Sequence, residues 1–114
     1  MQPGIWSVTY RIHGADPGAL NSLPAVEQLL AQAARRAGLS AVAGTRHRFA
    51  PQGISAVLIL AESHIAAHTW PERASAYVTI TSCRALERED IDAVAALIAQ
   101  DLGAQGVESR TVSL

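Results

Sequence analysis

Residues 54–82, ISAVLILAESHIAAHTWPERASAYVTITS, decide the fold because they read as three consecutive β-strands. The first strand is predicted over residues 54–62 and contains one strongly apolar stretch. The second covers residues 64–70 and is closed by Pro71, because proline cannot donate a hydrogen bond to a strand ladder. The third, residues 75–82, is rich in the β-branched side chains that favour strands.

Three more strands are predicted outside this stretch. Residues 5–13 alternate apolar and polar side chains, which is the period of a half-buried strand, and Asp16-Pro17-Gly18 then breaks the chain. Residues 40–49 read as another strand and are followed by the tight turn Pro51-Gln52-Gly53. Residues 107–114 read as the last strand.

Two stretches have the apolar spacing of amphipathic helices. The first is predicted over residues 23–37, with Asn21 or Ser22 as its cap and Gly38 as its end. The second starts in an acidic segment, which suits the helix dipole, and ends at Gly103. This order predicts an α+β fold, a two-layer sandwich in which two helices pack on one face of a mainly antiparallel sheet. The other face would be free to pack against a second sheet, so we expect a dimer.

Length and composition exclude several classes of protein. The 114 residues suit one domain, 1–114, with a core built from Ala, Val, Ile and Leu. A net charge of -1 argues against a nucleic-acid binder, and one cysteine cannot form an internal disulfide. No apolar stretch approaches the roughly 20 residues that span a bilayer, so we expect a cytoplasmic protein. All nine basic residues are arginines, which excludes a pyridoxal phosphate held on lysine.

Residues 62–72, ESHIAAHTWPE, concentrate the side chains that carry chemistry. Attack of Ser63 Oγ on the preceding carbonyl would give an ester, and removal of the Ser63 α-proton would then expel the Glu62 carboxylate and cut the chain. Hydrolysis of what remains at position 63 would give a pyruvoyl group. Histidine suits the role of base in that step. In an extended segment His64 and His68 share one face, so spacing leaves both open. These two histidines and Cys83 could also be read as zinc ligands, but no second cysteine pair supports a metal site.

Three motifs of the chain resemble motifs of the S-adenosylmethionine decarboxylases. They are E-S-H at residues 62–64, H-T-W-P-E at residues 68–72, and F-x-P-x-G-x-S at residues 49–55. The resemblance implies a proenzyme that cleaves itself between Glu62 and Ser63 into fragments 1–62 and 63–114. The cofactor would be a pyruvoyl group made from Ser63, with neither pyridoxal phosphate nor a metal. Its keto group would trap the substrate amine and draw electrons from the bond to the departing carboxylate.

The same resemblance implies a role for each motif residue. His68 would be the base of self-cleavage, and Ser55 would support the polarised carbonyl. Cys83 would be the acid that protonates the substrate carbon after carbon dioxide has left. Phe49 would stack on adenine, and Glu72 would bind the ribose hydroxyls. In the family each active site lies across a homodimer interface, with the cleaved serine and the cysteine from one protomer and the other residues from its mate.

One segment departs from the family. After the Pro-Glu pair the family usually reads Y-G-Y-A-A-x-D-x-F-T-C-G, whereas residues 73–84 read RASAYVTITSCR. Phe49 and Glu72 are retained, which favours S-adenosylmethionine as the small-molecule substrate and a product that donates aminopropyl groups to spermidine synthesis. The altered segment leaves two alternatives: a decarboxylase of a basic amino acid, ornithine or arginine, and an uncleaved, inactive regulatory relative. No partnership with nucleic acid or membrane is expected.

Overall fold

Six strands and three helices make up residues 4–114, the part of the chain that the computed structural model describes. The strands are β1 (Trp6–His13), β2 (Ala41–Arg48), β3 (Ile54–Leu60), β4 (Ser63–Trp70), β5 (Ser75–Ser82) and β6 (Gly106–Ser113). The helices are α1 (Pro17–Leu20), α2 (Leu23–Arg36) and α3 (Arg88–Leu102), and a 3₁₀ turn covers Pro71–Arg73. Every predicted strand and both predicted helices are therefore present.

All six strands form one antiparallel sheet in the order β2-β3-β4-β5-β1-β6. Strands β3, β4 and β5 pair in succession, as consecutive antiparallel strands joined by short connections usually do. The N-terminal strand β1 is inserted between β5 and β6. The predicted α+β class, with helices on a mainly antiparallel sheet, is confirmed.

The core lies between the helices and one face of the sheet. Its buried side chains are Ala, Val, Ile and Leu, as predicted, with Tyr10 as the aromatic exception among the described residues. The Tyr10 hydroxyl donates a hydrogen bond of 2.9 Å to the carbonyl of Ile91, which joins β1 to α3. Burial, with a smaller contribution from the Asp92 carboxylate, raises the pKa of Tyr10 above its usual range. The phenol therefore stays neutral in the core.

The two long helices begin and end close to the predicted positions. Ser22 Oγ accepts the backbone N–H of Ala25 and so caps the start of α2, which decides between the two predicted caps. Gly38 and Gly103 follow the ends of α2 and α3 with φ angles of 72° and 59°, a region that glycine enters without steric cost. Within residues 4–114, neither of these helices nor the short α1 is long and apolar enough to cross a membrane.

The predicted break at Asp16-Pro17-Gly18 is present, since β1 ends at His13, but the sequence did not predict the short helix that begins there. These residues start the one-turn helix α1, in which the Asp16 carboxylate accepts the backbone N–H of Ala19 at 2.9 Å. Proline is well placed in the first turn, since its missing N–H would have no partner there. An Asp-Pro pair opens a helix as readily as it opens a turn, so the motif alone did not distinguish the two.

Arg84 fastens the loop after β5 to the end of α2. Its guanidinium donates hydrogen bonds to the backbone carbonyls of Ala37 and Gly38. The carbonyls at a helix C-terminus have no partners within the helix and carry partial negative charge, so a cation is favourable there. Arg84 replaces the glycine of the family motif and thus holds the neighbouring Cys83 through its loop.

We expect Arg84→Ala to lower the free energy of unfolding by about 1 kcal/mol, because two carbonyls at the helix end lose a charged donor. Urea denaturation should be measured in a Ser63→Ala background, so that an uncut chain unfolds in every sample. Arg110→Ala is the matched control, because Arg110 is exposed and, among residues 4–114, its guanidinium hydrogen-bonds only to the carbonyl of the neighbouring Ser109. Equal losses in the two variants would contradict a bracing role for Arg84.

Candidate active site

The predicted cleavage site lies in a two-residue turn between β3 and β4. Leu60 and Ser63 are paired, so Ala61 and Glu62 form the turn. Glu62 has a φ angle of 59°, a left-handed conformation that costs a non-glycine residue about 1 kcal/mol or more. The Ala61 N–H is held by the carbonyl of Ser40 at 2.9 Å, which keeps the turn in place. The peptide bond before Ser63 therefore follows a strained residue.

Cys83 lies beside this turn although it is twenty residues away in the chain. Its backbone N–H donates to Ser63 Oγ at 3.4 Å, and its thiol donates to the Glu62 carboxylate, with Sγ 3.6 Å from Oε2. Pairing of β4 with β5 produces this approach, because Ser63 starts one strand and Cys83 follows the end of the other. We call Glu62, Ser63 and Cys83 the cleavage cluster.

Ser55 and His68 form a second pair, on β3 and β4. They are directly opposite each other in the ladder, and Ser55 Oγ is 2.7 Å from His68 Nδ1. This hydrogen bond occupies Nδ1, so Nε2 is the ring nitrogen left for proton transfer. The choice between the two predicted histidines also narrows: His64 is exposed opposite Thr81 and has no comparable partner among the described residues.

A cavity of about 360 Å³ adjoins His68 and brings together four of the predicted site residues. Its lining consists of Phe49, Gln52, Gly53, Ile54, Ser55, His68, Thr69, Trp70 and Glu72. The predicted base and the predicted adenine- and ribose-binding residues thus share one space, which we call the His68 cavity. A wider surface depression, of about 680 Å³, lies between α2 and α3. It contains none of the predicted residues, so we place the site by its chemistry and not by size.

Residues that line the His68 cavity are fixed by hydrogen bonds to one another and to the segment before α2. Thr69 is buried; its hydroxyl accepts the N–H of Ile54 at 3.0 Å and donates to the carbonyl of Leu20 at 2.8 Å. The N–H of Gly53 donates to the side-chain oxygen of Asn21 at 3.1 Å. The turn between β2 and β3 is therefore fixed against the start of α2. Phe49, which precedes this turn, remains 48% exposed.

Within one chain the cleavage cluster and the His68 cavity are far apart. Ser63 and His68 are five residues apart on β4, which at the usual rise of a strand separates them by about 17 Å. Their positions differ by an odd number, so their side chains also leave the sheet on opposite faces. His68 of one chain therefore cannot reach Ser63 of the same chain.

The zinc interpretation receives no support from the geometry. Among residues 4–114, no three His, Cys, Asp or Glu side chains are close enough together to hold a metal ion. His64 and His68 are four residues apart on an extended strand, a separation of about 13 Å that a single ion cannot bridge.

Comparison with known proteins decides the family. A family profile described as S-adenosylmethionine decarboxylase matches residues 7–113, almost the whole chain. The chain belongs to the S-adenosylmethionine decarboxylase family. The resemblance inferred from the E-S-H and H-T-W-P-E motifs is therefore confirmed.

Several relatives support this membership of the decarboxylase family. The chain is similar to the S-adenosylmethionine decarboxylase proenzyme of Bacillus cytotoxicus, with 41% identity over 90 residues, which is 79% of this chain and 68% of the relative. It is also similar to the proenzyme of Methanococcus vannielii, with 37% identity over 76 residues, 67% of this chain and 62% of that one. The crystal structure of an adenosylmethionine decarboxylase from Aquifex aeolicus matches with a TM-score of 0.81 and 22% identity, covering 98% of this chain and 91% of that one. That likeness shows the fold.

The sequence did not indicate that Tyr77 is a neighbour of His68, the predicted base. Tyr77 stacks on the His68 ring, with centroids 4.9 Å apart and an interplanar angle of 29°. It also stacks against Trp70, with centroids 5.8 Å apart and an interplanar angle of 27°. Tyr77 had been noted only as part of a segment that departs from the family. Its position in the strand indicates which face of the sheet Tyr77 occupies, but the register between β4 and β5 is needed to place it beside His68.

Proposed function

We propose that this chain is a pyruvoyl-dependent S-adenosylmethionine decarboxylase, whose product donates aminopropyl groups for spermidine synthesis in the cytoplasm. The observation that carries the proposal is the cleavage cluster: a strained residue before a serine, with the only cysteine of the chain in contact with both. Membership of a family whose relatives are named proenzymes of this decarboxylase supports it. An inactive relative is not favoured, since Ser63, His68 and Cys83 are all retained. A decarboxylase of ornithine or arginine is not favoured either, since Phe49 and Glu72 are retained and line the His68 cavity.

Maturation uses the residues of the chain itself. Ser63 Oγ attacks the carbonyl carbon of Glu62, and the acyl group moves from nitrogen to oxygen, so the peptide bond becomes an ester. A base removes the Ser63 α-proton, and the Glu62 carboxylate leaves with the ester oxygen. Hydrolysis of what remains at position 63 consumes water and releases ammonia. The left-handed Glu62 favours the first step, because breaking this peptide bond relieves the strain of the turn.

The remaining site residues fit the decarboxylation of a nucleoside-bearing amino acid. The pyruvoyl group, once formed, supplies the electron-withdrawing keto group that the reaction needs. Cys83 is the proton donor. Its place beside Ser63 supports this role, because a substrate bound to the group at position 63 would have its reacting carbon next to the thiol. Phe49 offers a half-exposed ring for adenine, and Glu72 offers acceptors for ribose hydroxyls, in the same His68 cavity.

A homodimer with shared active sites would unite the two groups of residues. Within one chain they are separated by about 17 Å along β4. In a two-fold dimer the cleavage cluster of one protomer can meet the His68 cavity of its mate, and the same contact forms twice. The sheet face without helices carries the exposed side chains of Ile59, Trp70 and Tyr77, which suits a surface that becomes covered on association.

We expect the cleaved protein to release carbon dioxide from carboxyl-labelled S-adenosylmethionine and not from labelled ornithine or arginine. Phe49→Ala should raise the KM for S-adenosylmethionine about tenfold, because a stacking surface is lost. Val42→Ala is the matched control, since Val42 is an exposed apolar residue of β2, the edge strand that Phe49 directly follows, and it does not line the His68 cavity. Release from an amino acid alone would contradict the proposed substrate, and release from none would contradict the proposed activity.

A further inference from the structure

Ser55, His68 and Tyr77 form a continuous row across three neighbouring strands. Ser55 is paired with His68, and His68 is paired with Tyr77, so all three side chains leave the sheet on the face without helices. Directly opposite residues on one face have Cβ atoms about 5 Å apart, close enough for their side chains to contact. The register of the sheet, and not the spacing along the chain, produces this row.

Ser55 and Tyr77 contact the His68 ring at two different places. Ser55 holds one edge of the imidazole through Nδ1 at 2.7 Å. Tyr77 stacks on the ring with centroids 4.9 Å apart, and Trp70 stacks in turn on Tyr77 at 5.8 Å. Tyr77 does not line the His68 cavity, whereas His68 does. The imidazole is thus clamped between a hydrogen bond and an aromatic surface, with the cavity beside it.

We propose that Tyr77 is a positioning residue that holds the His68 ring in the orientation needed for proton transfer at Nε2. This inference rests on the proposed function, in which His68 is the base of self-cleavage. Within one chain Tyr77 lines neither the His68 cavity nor the turn that holds the scissile bond, and it stacks on His68, so we assign it a role that acts through His68. The family motif has alanine at this position and an aromatic residue two positions earlier, where this chain has Ser75. The aromatic support therefore lies directly beside the base in this protein.

Two substitutions separate the aromatic surface from the hydroxyl group. Tyr77→Ala removes the ring and frees His68 to rotate about its side-chain bonds, whereas Tyr77→Phe keeps the ring. Since a well-oriented base contributes a factor of 10² or more, loss of its orientation should slow self-cleavage by about tenfold. Tyr77→Phe should cleave within about twofold of the wild type, because stacking does not need the hydroxyl. Thr79→Ala is the matched control, one row along on the same strand and face.

Self-cleavage is followed by denaturing gel and intact mass after cell-free synthesis, so that uncut chain is present at the start. The sharper readout is the NMR spectrum of histidine-labelled protein in a Ser63→Ala background. Ring-current shifts of the His68 protons should be present in the parent and in Tyr77→Phe, and lost in Tyr77→Ala. Size-exclusion chromatography checks that all variants keep the same oligomeric state, because Tyr77 lies on the proposed dimer face.

The outcomes distinguish this inference from the proposed function. If the wild type cleaves and Tyr77→Ala cleaves equally fast, or if its His68 shifts are unchanged, Tyr77 has no positioning role and the proposed function stands. If Tyr77→Phe is as slow as Tyr77→Ala, the hydroxyl matters and stacking is not the cause. If the wild type itself neither cleaves nor releases carbon dioxide, the proposed function fails, and the NMR comparison still tests the clamp on His68.

Discussion

Replacing Ser63 by alanine is expected to leave one uncut chain of 114 residues with no decarboxylase activity. Alanine has no Oγ to attack the Glu62 carbonyl, so neither the ester nor the pyruvoyl group can form. The strained turn alone does not break the bond, because an uncatalysed peptide bond is stable and the strain is worth only about 1–3 kcal/mol. Intact-mass measurement reports the uncut chain directly, and carboxyl-labelled S-adenosylmethionine reports the lost activity.

Ser113→Ala is a suitable control for this experiment, because Ser113 is an exposed serine at the end of β6 and lies in neither group of site residues. It should cleave into fragments 1–62 and 63–114 like the wild type. If the uncut Ser63→Ala protein released carbon dioxide at the wild-type rate, decarboxylation would not depend on a keto group at position 63. The central step of the proposed mechanism would then be wrong.

Cys83→Ala is expected to separate maturation from catalysis. The contact of Cys83 with Ser63 Oγ comes from its backbone N–H, which alanine retains, so self-cleavage should go to completion. The thiol is lost, and with it the acid that protonates the substrate carbon, so kcat should fall by a factor of about 10² to 10⁴. A variant that stayed uncut would show instead that the thiol contact with Glu62 is needed for cleavage.

Because Cys83 is the only cysteine, alkylation of the wild type offers an independent check. A thiol reagent should abolish activity in the wild type without affecting its cleaved state, and bound S-adenosylmethionine should slow the modification.

The same variant tests whether active sites are shared. Co-expression of Cys83→Ala with His68→Ala gives mixed dimers in which one site has both the cysteine and the histidine intact. Random pairing makes half of the dimers mixed, with one competent site of two, so about a quarter of wild-type activity should return. Each variant alone should be inactive. No recovery on co-expression would indicate that His68 and Cys83 do not act together across an interface.

Local patterns in the sequence predicted most of the fold. The content of β-branched residues identified β5 with its observed bounds, Ser75–Ser82, and a glycine marked the end of each long helix. The strand predicted to reach Glu62 ends at Leu60, because Ala61 and Glu62 form the turn. Apolar periodicity cannot show where a strand yields to a two-residue turn, since both use the same extended backbone up to that point.

The sequence proposed candidate site residues but not their geometry. Motifs pointed to Ser63, His68 and Cys83, and the contact between Ser63 and Cys83 fits the roles proposed for them. The pairing of Ser55 with His68, and of His68 with Tyr77, depends on strand register, which turn lengths and core packing determine together. Those are long-range properties, so no spacing along the chain indicates them.

The strand order places β1, from the first half of the chain, between β5 and β6, from the second half. If the chain is cut between Glu62 and Ser63 as proposed, the fragment before the cut supplies β1, β2 and β3, and the fragment after it supplies β4, β5 and β6. In the sheet this creates three seams between fragments, at β3–β4, β5–β1 and β1–β6. The proposed cut would therefore release neither half, and each mature protomer would consist of two fragments held together without a covalent bond. Its melting temperature should accordingly rise with protein concentration, unlike that of the uncut chain if it unfolds as a monomer.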